Sequence, residues 1–231
     1  MFVTAFYPIH SDTSFQFYFD LFYDIGMSGI PIIVFTDSSY MSYFNVFPSS
    51  VTVIYIPIES FELYRIAMNY KGTLPSGANP QKDTQKYLAL MNTKIEFIWY
   101  AVHFCPNYTT YTWIDFGILK IIQDRTTFIN KLKTIESSTF QKITIPGCWE
   151  YGRPFNVDTI HWRFCGGIII IPKEYVDRFY QHSKNVLIDF CTSSMYKLTW
   201  EVNIWTVIEF CAEKDSIQWY SADHNDSIVF G

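Results

Sequence analysis

Apolar positions along the chain fall into two alternating patterns. The first is a series of short, unbroken runs: "MFVTAFY" (1–7), "IPIIVFTD" (30–37), "VTVIYIPI" (51–58), "TYTWID" (110–115), "FQKITIP" (140–146) and "CGGIIIIP" (165–172). Such runs, rich in β-branched and aromatic residues and bounded by turn residues, predict strands buried on both faces. The second pattern recurs every three or four residues and predicts helices. Phe15, Phe19, Phe22 and Ile25 mark one over 12–28. Tyr87, Met91, Ile95, Ile98 and Val102 mark another over 82–104, with Asp83 and Thr84 as start signals. Ile118, Ile121, Ile122, Phe128 and Leu132 mark a third over 118–134, and two more fall at about 173–190 and 199–213. Residues 59–80 are mixed and end in the loop "LPSGANPQ", and the tail from 216 adds a strand and a polar turn. Strand and helix alternate. The expected fold is therefore α/β, a mostly parallel central sheet flanked by helices on both faces. The 231 residues suit a single domain.

Composition narrows the function classes. At 49% apolar and 17% charged residues, the chain has material for a core and no disordered signature. Aromatics reach 19%, enough for an aromatic core and for a stacking site. The net charge of −5, with no basic run, argues against nucleic acid as a partner. Cys105, Cys148, Cys165, Cys191 and Cys211 form no Cys-x-x-Cys pair, so the expectation is reduced thiols in a cytoplasmic protein, with no zinc-site spacing. The amino terminus lacks the charged and apolar regions of a signal peptide, and the longest aliphatic run, "IIII" (168–171), is strand-sized, so no membrane span is expected.

Candidate chemistry gathers at strand ends, because open α/β sheets bind ligands at the carboxyl ends of their strands. Those ends carry Asp37, Asp115, and Asp223 with His224. Carboxylates and an imidazole on one edge suit Mg²⁺ or Mn²⁺. Asp37 before Ser38 and Ser39, and the segment "ADHNDS", equally fit ordinary turns. Asp115 is harder to explain that way. It closes the buried run "TYTWID", and Gly117 leaves backbone room for close approach. Lys94 shares the apolar stripe of its helix, so its ammonium either snorkels or meets an anion near Asp115. Glu201 opens a later helix, either as a cleft acid or as a favourable first-turn charge. Gly166 and Gly167 precede a buried strand and permit a ligand's close approach or a bulge. His161 and Arg163 flank Trp162 and fit either contacts to an anionic ligand or a surface loop, which would tolerate them equally. Dinucleotide, Walker A and nucleophile-elbow motifs are absent from the sequence.

The segments "YLALMNTKIEFIWYAV" (87–102), "YTWIDFGI" (111–118), "CGGIIIIPKEYVDRF" (165–179), "TWEVNIW" (199–205) and "YSADHNDSI" (220–228), in that order, resemble the GT-A type of nucleotide-sugar glycosyltransferase. Within that type they are most similar to the HtrL/YibB-like family. The resemblance implies one GT-A domain over 1–231, with a nucleotide-binding part at about 1–117 and an acceptor part at about 118–231. It implies transfer from a nucleotide-diphosphate sugar to a glycan or glycoprotein acceptor, assisted by Mn²⁺ or Mg²⁺. Asp115 then stands at the metal-binding Asp-x-Asp position, with Trp113 where the first Asp would be, and Asp223 or His224 as a late ligand. Asp37, Lys94, Trp113, Gly166 and Gly167 become contacts of the donor, and Glu201 the catalytic carboxylate near the scissile sugar, as base on the acceptor hydroxyl or stabiliser of an oxocarbenium-like centre. Two other readings share this pattern: a non-catalytic sugar- or nucleotide-binding domain, and a metal-dependent phosphoryl or nucleotidyl enzyme.

Overall fold

The computed structural model describes residues 1–9 and 15–229. Seven strands form one sheet: β1 (Phe2–Phe6), β2 (Ile32–Thr36), β3 (Val51–Tyr55), β4 (Thr110–Ile114), β5 (Ile143–Gly147), β6 (Ile168–Pro172) and β7 (Ile217–Ser221). Their order is β3-β2-β1-β4-β6-β5-β7. β6 runs antiparallel to both of its neighbours, β4 and β5, and every other pairing is parallel. The helices are α1 (Phe15–Gly26), α2 (Met41–Phe44), α3 (Glu62–Met68), α4 (Gln85–Asn92), α5 (Lys94–Phe104), α6 (Arg125–Ser137), α7 (Lys173–Thr192) and α8 (Glu201–Ile208).

The sheet is covered on both faces, as expected. Successive side chains of a strand point to opposite sides, and both sides are apolar here. Ile33 and Phe35 of β2 and Ile169 and Ile171 of β6 share one core with residues of α3, α4, α5, α7 and α8. Ile32, Val34, Ile168 and Ile170 share the other with α1, α2 and α6. Much of the aromatic surplus goes into these layers. Phe97 stacks with Tyr7, Phe35 and Trp113 on one side, and Phe22 stacks on Phe116 at 4.3 Å on the other.

Several elements differ from the expected pattern, each for a local reason. The helix expected over 82–104 is two helices meeting at Thr93. There, Asn92 Nδ2 donates to the Leu88 carbonyl and Thr93 Oγ1 to that of Ala89, and Asn92 also reaches Thr199. Such back-bonding competes with the helical ladder. The break makes Lys94 the first residue of a new helix. The helix expected over 118–134 begins at Arg125, because the Asp124 carboxylate caps it through the Thr127 amide; 118–120 is a separate 3₁₀ turn. The mixed segment 59–80 contains α3, whose first amides, those of Glu62 and Leu63, each donate at 2.7 Å to the buried carboxylate of Glu96 on α5. The helix expected over 199–213 is α8 followed by a single π turn, Glu209–Glu213. The first positions expected for α1, 12–14, lie outside the described residues. Among the described residues no helix is long and apolar enough to cross a membrane.

Candidate active site

The sheet order brings the expected strand ends to one edge. Asp37 follows β2, Asp115 follows β4, Cys148 follows β5, and Ala222–His224 follow β7. Because β6 is antiparallel, its entry, Gly166–Gly167, lies at that same edge between β4 and β5.

At the middle of this edge is an ion cluster. The Lys94 side chain is 2% exposed, and its Nζ lies 2.8 Å from Glu201 Oε1, 2.8 Å from the Gly166 carbonyl and 2.9 Å from Asp115 Oδ1. An ammonium has three donors, and here three acceptors meet them. Burial works to lower its pKa, but Asp115 and then Glu201 outweigh burial and hold it above the ordinary lysine range. Trp113 Nε1 donates to the same Asp115 Oδ1 at 2.7 Å, and the Asp115 amide donates to the Gly167 carbonyl at 3.0 Å. One carboxylate oxygen of Asp115 is thus fixed by two donors, while the side chain as a whole stays 38% exposed. Glu201 is 8% exposed at the start of α8. Tyr87 on α4 completes the surroundings. Burial, then the charges of Glu201 and Asp115, push its phenol far above the ordinary range, so it remains protonated.

Gly166 is required by this geometry. A Cβ there would stand 2.2 Å from Glu201 Oε1 and 3.3 Å from Val202 Cγ1. Glu201 is pinned to Lys94, so Gly166→Ala is expected to cost about 1–3 kcal/mol as an overpacked site, read by urea denaturation. A loss within about 0.5 kcal/mol, the range of surface substitutions, would mean that the carboxylate moves aside freely.

A cleft of about 290 Å³ lies along the same edge towards β2, lined by Tyr7, Asp37, Ser39, Tyr40, Glu59 and Lys86 among others. Asp37 Oδ1 accepts from the Ser39 amide at 2.9 Å, and that hydrogen bond holds its carboxyl below the usual carboxylate range. Lys86 precedes Tyr87 on α4, so one helix lines the cleft and approaches the ion cluster.

The expected residues therefore divide. Lys94, Trp113, Asp115, Gly166, Gly167 and Glu201 come together, and Asp37 lines the neighbouring cleft. Three details differ from expectation. Trp113 is 3% exposed and stacked on Phe97, so it reaches a ligand only through Asp115. The room beside Gly117 is filled by the Tyr18 ring, 2.9 Å from where a Cβ would stand. His161 and Arg163 are buried rather than on a surface loop, and Arg163 forms a bidentate pair with Glu209, Nε to Oε2 at 2.7 Å and Nη2 to Oε1 at 2.6 Å.

Asp223 and His224 belong to a different grouping. Two strands, β6 and β5, separate β4 from β7, a strand-to-strand span of roughly 14 Å at 4.7–4.9 Å per step. Asp223 Oδ1 accepts from the His224 amide at 2.7 Å and lies 3.5 Å from Cys148 Sγ. Among the described residues, the set of three metal-ligating side chains within reach of one ion is Cys148, Cys165 and His224, and Asp115 is not in it. Sequence reasoning missed this set because its members are 17 and 59 positions apart.

No family model matches the chain, and no curated protein does. Among solved structures it is similar to a glycosyltransferase involved in glycosylation of the major capsid of PBCV-1, at 10% identity and a TM-score of 0.47, over 96% of this chain and 80% of that one. It is also similar to 4-diphosphocytidyl-2C-methyl-D-erythritol synthase from Anaerococcus prevotii, at 9% identity and a TM-score of 0.44, over 99% and 90% of the two chains.

Proposed function

We propose that the protein is a glycosyltransferase that takes a sugar from a nucleotide-diphosphate donor and passes it to a hydroxyl of a glycan or glycoprotein. The observation that carries this reading is Asp115, held by Lys94 and Trp113 at the carboxyl edge of the sheet, beside the cleft that Asp37 lines. The donor's base and ribose lie in the cleft, where Tyr40 offers ring surface and Asp37 an acceptor for ribose hydroxyls. Its diphosphate points towards Asp115.

Mg²⁺ and Mn²⁺ in such sites are held by one or two carboxylates plus the substrate's phosphates. One carboxylate with a solvent-facing side fits that demand, so Asp115 would hold the ion, which would stabilise charge on the departing diphosphate. Lys94 is a positioning residue in this scheme. Its three donors are taken by protein acceptors, and a fourth, phosphate oxygen would have to displace one of them. Glu201, buried and bound to Lys94, balances that ammonium rather than meeting the acceptor.

Melting curves with nucleotide diphosphates and nucleotide sugars, with and without Mn²⁺, test the reading. A ligand at 100 times its Kd adds about 2.7 kcal/mol to the stability of the folded state, so at least one donor is expected to raise the midpoint. Transfer or slow hydrolysis of that sugar should accompany it. No shift with any donor would leave a non-catalytic domain. A shift with nucleoside triphosphates alone, accompanied by their cleavage, would make it a phosphoryl or nucleotidyl enzyme.

A further inference from the structure

We propose that Cys148, Cys165 and His224 bind a zinc ion, at a site distinct from Asp115 and independent of the donor reading. The two sulfurs are 3.7 Å apart, and Cys165 Sγ is 4.0 Å from His224 Nδ1. The ligand atoms all lie within 4.8 Å of one another. Two thiolates about 2.3 Å from a tetrahedral zinc stand about 3.8 Å apart, so the sulfurs already have the spacing of one edge of that tetrahedron. Two sulfurs and an imidazole form a soft set that selects zinc over Mg²⁺ or Mn²⁺. Asp223, with Oδ1 3.5 Å from Cys148 Sγ and 3.3 Å from His224 Nδ1, is at hand for a fourth position.

The ligands are held in place by the fold. Cys148 follows β5, and its amide donates to the Trp162 carbonyl at 3.0 Å. Cys165 is fully buried before β6, with its amide bonded to the Pro146 carbonyl at 2.7 Å. His224 lies just past β7, its ring packed edge-on against Trp162 with centroids 4.8 Å apart, and it is exposed enough for an ion to enter. Zinc would join the ends of three strands. One of its ligands, Cys165, immediately precedes Gly166, whose carbonyl accepts from Lys94.

The test uses the full chain without a polyhistidine tag, purified under reducing conditions, stripped with a chelator and titrated with zinc against a chromophoric competitor. One zinc per chain is expected. Cobalt(II) should give thiolate-to-metal charge-transfer absorption, which zinc displaces. His224→Ala and Cys148→Ser should each weaken binding by roughly 100-fold or more, since loss of an outer-shell partner alone costs about 10–100-fold. His224 is exposed, so its variant should fold even if a cysteine variant does not. Zinc binding unchanged in both variants would overturn the proposal. So would no stoichiometric zinc, or equal competition by Mg²⁺.

Discussion

Lys94→Met is expected to lower the unfolding free energy by about 3–5 kcal/mol, the cost of removing one partner from a buried ion pair. Methionine fills most of the volume of the lysine stem, so little of this loss is cavity. What remains is the Glu201 carboxylate at 8% exposure and the Gly166 carbonyl, each without the donor it meets at 2.8 Å. Adding Glu201→Gln should recover part of the loss, because a neutral amide removes the orphaned charge and supplies an N–H for Gly166. Urea denaturation of the two variants separates this account from simple misfolding, and a double variant no more stable than the single one would count against it. The pH dependence provides a second check. The folded pKa of Lys94 is raised, so its stabilisation is present in full below the unfolded lysine pKa of about 10.4 and is lost as pH rises through the folded value. The gap between wild type and variant should hold across neutral pH and narrow only above about pH 10.4. Closure near neutrality would show that the ammonium is not the group responsible.

The inner strands were readable because burial on both faces leaves no polar alternation to interpret, and "IIII" or "IPIIVFTD" has few other uses; the edge strands β3 and β7 are only partly buried. Asp115 and Lys94 were readable for the opposite reason: each is a charge in an apolar context, and such a charge implies a partner. Which partner was not readable. Glu201 reaches Lys94 across 107 positions, and nothing local in "LTWEVNIW" distinguishes that acid from one that merely starts a helix. The same limit hid the capping of α3 by Glu96 and the pairing of Arg163 with Glu209, which turned an expected surface cation into a core residue. Strand ends could be assigned to one edge from the sequence, but not to places along it. The insertion of β6, antiparallel, between β4 and β5 decides that Asp115 sits beside Gly167 and that His224 sits with two cysteines. Adjacency of strands is a property of the assembled sheet, and the residues that create the two clusters carry no spacing signal of their own.

Asp115→Asn is expected to reduce donor turnover by about 10²–10³-fold, the usual cost of removing a preorganised electrostatic group from a reaction centre. It should also lower stability by about 1–3 kcal/mol, because the buried Lys94 ammonium loses one of its two carboxylate charges while the hydrogen bond itself can be kept. The amide oxygen can still accept from Trp113 Nε1 and lie near Lys94 Nζ, so the local shape survives. Glu201 remains as a carboxylate partner for the ammonium. What disappears is the negative charge on the half-exposed side of the residue, which in the proposed scheme recruits the divalent ion to the diphosphate. The Mn²⁺-dependent part of any donor-induced melting shift should therefore vanish, while a metal-independent part, from base and ribose contacts in the cleft near Asp37, should remain. That separation distinguishes Asp115 as a metal-holding residue from Asp115 as a structural counter-ion for Lys94. As a counter-ion only, its replacement would still lower the melting point of the free protein but leave the metal dependence intact. Zinc content measured on the same variant should be unchanged, because Cys148, Cys165 and His224 make no use of Asp115.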